Sequence, residues 1–128
     1  MPKDFILSDD LERCRPWIEA ALVYTGGTHY FDDIVKNIAM GTMQLWPSPR
    51  GCIVTEIVGC SGEKVLNIFL AGGELDQILE MNDDVKAWAE ANGCTAATMA
   101  GRMGWKKPLA PLNWKLQQVC FMKEFDDG

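Results

Sequence analysis

Cationic charge, histidine and long apolar runs are scarce in this chain, and each scarcity removes a class of function. Lys and Arg number 12 against 18 Asp and Glu, a formal net charge of −6. A phosphate backbone is therefore repelled by the molecule as a whole, and no nucleic-acid partner is expected. No run nears the ~18 consecutive apolar residues of a membrane helix, so no membrane association is expected. The stretch Met1 to Leu7 turns polar at Ser8-Asp9-Asp10 before a secretory core can form, which points to an intracellular protein. His29 is the single histidine, and nothing at ligand spacing stands beside it, so no metal site is expected. Cys14, Cys52, Cys60, Cys94 and Cys120 are odd in number and contain no C-x-x-C pair. That argues against a disulfide framework and a zinc site and leaves buried free thiols as the reading. Ser48 and Ser61 lack a G-x-S-x-G setting, so no hydrolase nucleophile is assigned.

What is present suits one domain over residues 1–128: a 14.3 kDa chain with 48% hydrophobic residues and no linker or repeat. Asp9 and Glu12 resemble a capping box before Leu11, Trp17, Ile18, Ala21 and Leu22, and Pro16 is expected to delay the helix proper to about Arg15. After Gly26-Gly27, Thr28 can cap a second helix through Phe31, Ile34, Val35 and Ile38, ended by Gly41. Thr42–Trp46 and Cys52–Val58 read as strands around a turn, Pro47 to Gly51, and Val65–Leu70 reads as a third strand broken by Gly72-Gly73. One long helix then carries Leu75, Ile78, Leu79, Val85, Trp88 and Ala89 to a stop at Gly93. A strand Cys94–Ala100, the turn Gly101-Arg102-Met103-Gly104-Trp105, Asn113-Trp114 and a final strand Leu116–Met122 complete the order.

The succession AWAEANGC, TAATMAGRMGWKKPL, NW and VCFMKEF resembles the second half of the GNAT acyltransferase fold. It is more closely similar to small GNAT-like proteins of tailed bacteriophages, in which a G-R-x-G-W motif follows the last parallel strand. The resemblance implies an α/β (α+β) domain with a mixed, mainly antiparallel sheet flanked by helices. It also implies a phage-encoded, non-catalytic protein in virion assembly or a minor virion component, located in the host cytoplasm or the virion. Partners would be other phage or virion proteins, or a second copy of the chain. The alternatives are an acetyl-CoA-dependent N-acyltransferase and a host-directed binding protein.

The site residues decide between these. In acyl-CoA-binding relatives of the resembled family, a Q/R-x-x-G-x-G/A turn presents backbone amides to the pyrophosphate. Here Gly72 and Gly73 are the cofactor-binding candidates, but the motif is incomplete, and Glu74 and Asp76 put carboxylates where the phosphates would lie. No cofactor is expected, acetyl-CoA entering only in the enzyme reading. Glu56, alternating with Val54 and Val58, is the candidate catalytic base, against a plain reading in which it is exposed or paired with Lys64. The resemblance implies a tyrosine acid near the later helix, and Tyr24 and Tyr30 both lie far upstream. Gly101, Arg102, Gly104, Trp105 and Lys106, with Trp46, form the candidate partner or structural motif, since Trp and Arg anchor both interfaces and cores.

Overall fold

The first helix keeps its register across a proline because the residues on either side of that proline share one buried face. A computed structural model describes residues 9–22, 30–60 and 62–99. In it α1 spans Asp9–Leu22 with Pro16 inside the helix, so the expected late start at Arg15 is corrected. Leu11, Cys14, Ile18 and Leu22 are all buried on one stripe. Burying such side chains contributes ~1.5–3 kcal/mol each, which outweighs the ~3 kcal/mol that an interior proline costs. Asp9 and Glu12 both lie in the first turn.

Helix α2 spans Phe31–Met40. Its N-cap is Tyr30, whose backbone N–H donates to the Asp33 carboxylate at 2.9 Å. The expected cap, Thr28, lies outside the described residues. Gly41 ends the helix as expected, with φ 80° and its N–H directed to Ile38 O at 3.1 Å.

Three antiparallel strands follow: β1 (Gln44–Ser48), β2 (Gly51–Cys60) and β3 (Glu63–Gly73). Their bounds differ from the expected Thr42–Trp46, Cys52–Val58 and Val65–Leu70, in two places through residues expected to end a strand. Pro47 lies inside β1 rather than in the turn, which its position at the end of the strand order permits, because an edge strand can spare an N–H. Gly72 and Gly73 do not break β3; they pair with Cys52 and Gly51. The expected long helix is two, α3 (Leu75–Glu80) and α4 (Asn82–Ala91), turning at Met81. The periodicity survives because Ile78, Val85 and Ala89 still meet one core. Gly93, at φ 87°, leads into β4 (Cys94–Met99), which pairs parallel with β3 from Lys64↔Cys94 to Ile68↔Met99. The strand order is β1-β2-β3-β4.

The sheet is covered on both faces. On one, α1 and α2 close over Cys52, Val54 and Leu70; on the other, α3 and α4 close over Ile53 and Leu66. Trp46 belongs to the second layer. It meets Trp88 edge to face at 5.7 Å between centroids and donates from Nε1 to Thr55 Oγ1 at 3.0 Å. Among the described residues no helix is long and apolar enough to cross a membrane.

In the first layer Cys14 and Cys52 are fully buried as free thiols in one core cluster. Desolvation pushes both thiols above their ordinary range, Cys52 the further, with the neighbouring Cys14 adding to it. The unfolded chain's thiols ionise near pH ~8.5 while these remain protonated, so their contribution is complete below that pH and declines above it. Denaturant midpoints are therefore expected to fall between about pH 7 and about pH 10, with Cys52 contributing ~1–2 kcal/mol of the loss. An equal fall in Cys52→Ala would remove this thiol from the account.

Candidate functional site

Glu56 comes to its position through strand register. β2 alternates, so Glu56 shares the face of buried Val54 and exposed Val58, as the sequence pattern predicts. Across from it β3 places Asn67, and across from Asn67 β4 places Thr98. The three side chains form a row: Asn67 Nδ2 donates to Glu56 Oε2 at 2.9 Å, and Thr98 Oγ1 donates to Asn67 Oδ1 at 3.1 Å. Glu56 and Asn67 are half-buried and Thr98 is exposed, so the row is open to solvent at one end. Lys64 is not the partner of Glu56. It stands opposite Gly59 and donates to the carbonyl of Asn92 at 3.4 Å.

Just beyond the row the β2–β3 register slips. Thr55 pairs with Ile68 and Val54 with Leu70, which leaves Phe69 as an extra residue in β3. Phe69 and Leu70 consequently both meet the α1 side, while Ile68 and Ala71 meet the other. The parallel ladder with β4 runs as far as Ile68↔Met99, and β3 goes on beside β2 to Gly73.

The glycine turn lies at that far end of β3, and its glycines answer to the protein itself. A Cβ on Gly72 would sit 2.7 Å from the Trp17 carbonyl oxygen. A Cβ on Gly73, whose φ is 105°, would sit 2.4 Å from Arg50 O and Gly51 Cα. Both Cβ positions are filled by α1 and by the β1–β2 turn, so the protein's own packing requires a glycine at each.

Arg50, in that β1–β2 turn, is the residue the sequence reading missed. Its Nε donates to Glu74 Oε1 at 2.8 Å, and its Nη2 lies 3.8 Å from Asp76 Oδ2. The Glu74 hydrogen bond and charge, with weaker help from Asp76 and Glu80, push the guanidinium still further above its ordinary range. The backbone joins in: Glu74 N donates to Arg50 O at 2.8 Å, and Arg50 N donates to Oε1 of buried Gln77 at 3.3 Å. The two carboxylates that oppose a phosphate thus have an internal function, holding the hairpin turn onto the start of α3. These residues form a clamp between the hairpin turn and α3.

Tyr30 caps α2 and is 69% exposed, while Tyr24 and His29 lie outside the described residues. Gly101, Arg102, Gly104, Trp105 and Lys106 also lie outside them. Trp46 is brought to the α4 side of the sheet, apart from the polar row.

Set beside solved structures, this architecture is that of acetyltransferases. An acetyltransferase of Trypanosoma brucei aligns with a TM-score of 0.63 at 10% identity, over 89% of this chain and 94% of that one. An aminoglycoside acetyltransferase from an uncultured soil metagenomic sample, in complex with sisomicin, aligns at 0.63 and 10% identity over 92% and 91%. A ribosomal-protein-alanine N-acetyltransferase of Brucella melitensis biovar Abortus 2308 aligns at 0.61 and 9% identity over 91% and 94%. At such identities the likeness is one of fold: the chain has the GNAT-like mixed, mainly antiparallel sheet that its sequence resemblance implies. No protein-family model and no curated protein matches it.

Proposed function

We propose that this chain is an N-acyltransferase that moves an acyl group from a thioester to an amine, with Glu56 as the base. The observation that carries the proposal is the Glu56–Asn67–Thr98 row, set across the central strands of an acetyltransferase-like sheet. A thioester donor supplies the electrophilic carbonyl carbon. The amine must lose a proton as its nitrogen bonds to that carbon and the carbon–sulfur bond breaks, and a carboxylate held at the sheet surface can take it. Asn67 binds Oε2 of Glu56, so the proton falls to Oε1.

A second reading, and the one the sequence favoured, is a non-catalytic protein that contacts other polypeptides, phage or virion proteins among them. It draws support from the turn at Gly72 and Gly73, where Arg50 already occupies both carboxylates and protein atoms back both glycines. One pair of measurements separates the two readings: calorimetric titration with acetyl-CoA, and thiol release in the presence of a panel of amines. Saturable micromolar binding with amine-dependent thiol release supports the enzyme. Neither binding nor release overturns it in favour of the contact protein, whose association is then sought by mass spectrometry of purified particles and their assembly intermediates.

A further inference from the structure

We infer that Asn67 is the positioning residue for Glu56, and that Thr98 holds the Asn67 amide in place behind it. The inference rests on the reading of Glu56 as the base. A side-chain amide next to a carboxylate can present either its N–H or its oxygen, and only the first is attractive. At Asn67 the carboxylate makes the choice, because it only accepts, and the Thr98 hydroxyl braces the result from the far side. Nδ2 donates to Glu56 Oε2 at 2.9 Å while the Thr98 hydroxyl donates to Oδ1 at 3.1 Å. A reversed amide would set its oxygen against the carboxylate.

The row binds one carboxylate oxygen and aims the other. Among the described residues Asn67 is the donor to Glu56, and it fixes where Oε2 lies. Its neighbours on that face, Val54 and Val58 along β2 and Val65 diagonally on β3, carry no charge to hold it otherwise. The three members come from three strands, and both pairings are needed: antiparallel Glu56↔Asn67 and parallel Asn67↔Thr98. A cross-strand ladder serving stability alone would leave kcat unmoved, and that difference can be measured.

The full chain is used throughout. The side-chain amide resonances of Asn67 are followed by proton–nitrogen spectroscopy in the wild type, Glu56→Gln, Thr98→Val and Thr98→Ser. They are expected to move in Glu56→Gln and Thr98→Val and to return toward the wild-type position in Thr98→Ser. In acyl transfer, Asn67→Ala is expected to lower kcat about 10- to 100-fold with KM within about twofold, because misplacing a catalytic group acts on the chemical step. Thr98→Val is expected to lower kcat about 3- to 10-fold, and serine to restore it. Asn67 resonances indifferent to Thr98→Val overturn the inference, as does a Thr98→Val enzyme with wild-type kcat or a serine variant no better than valine. Absence of transfer by the wild-type chain would instead sink the base reading, and the resonances would then decide on their own whether Thr98 holds the amide.

Discussion

Gly73→Ala is expected to destabilise the fold by about 3 kcal/mol or more, a large share of the ~5–15 kcal/mol that holds a domain of this size. Two causes add. At φ 105° the backbone lies where an L side chain is strained, by roughly 1–3 kcal/mol. The new Cβ would also meet Arg50 O and Gly51 Cα at 2.4 Å, and both are backbone atoms that cannot swing aside. Relief requires the β1–β2 turn to lift. That breaks the Glu74 N to Arg50 O hydrogen bond of 2.8 Å and loosens Arg50 from Glu74. Gly41→Ala is the control. Gly41 has φ 80° but nothing within 4 Å of its Cβ position, so it carries the conformational penalty alone and is expected to lose about 1–2 kcal/mol. Urea melts of the two variants give the steric part as their difference. Equal losses would show that the turn yields freely, and the clamp described above would have no energetic weight. A weakened ligand in Gly73→Ala would report on this turn's folding, since the space the side chain enters belongs to the protein.

Glu56→Gln is expected to lower acyl transfer about 10²–10⁴-fold while leaving the fold intact, the range over which a positioned general base acts. Glutamine keeps the shape and still offers an oxygen to Asn67 Nδ2, so the hydrogen bond now measuring 2.9 Å has a neutral replacement. Stability should therefore change by no more than about 1 kcal/mol. The amide accepts no proton at neutral pH, and so kcat falls while KM moves little. Steady-state thiol release together with thermal melts tests both halves. Wild-type transfer by Glu56→Gln would take the base role from this residue, whereas an unfolded variant would show that the carboxylate serves the sheet.

The local signals in this chain were legible because they depend on neighbours in sequence. Gly41 and Gly93 were readable as helix ends, since only a residue without a side chain sits easily at φ 80° and 87°. The face of Glu56 was readable from alternation along β2, and the mixed, mainly antiparallel sheet from the resemblance to the GNAT fold. Three features went the other way. Pro16 argued for a late helix start, and the burial of Ile18 and Leu22 beyond it overrode the local penalty. Glu74 and Asp76 stand in the turn where the resemblance would put phosphates, yet they meet Arg50, 24 residues from Glu74. Asn67 has no titratable group to mark it in the sequence, and it is the centre of the polar row.

What the sequence determined by itself, then, is the approximate place of the described elements, with α3 and α4 as one, and the face each presents, because periodicity, caps and left-handed glycines act within a turn or two of chain. Tertiary structure alone decided which of those faces meet. The register that sets Glu56 against Asn67 and Asn67 against Thr98, and the fold that lays Arg50 over Glu74, join residues 11, 31 and 24 positions apart. Such pairings follow from the packing of α1 and α2 on one face and α3 and α4 on the other, since a slip of one residue would turn every side chain of a strand to the wrong core.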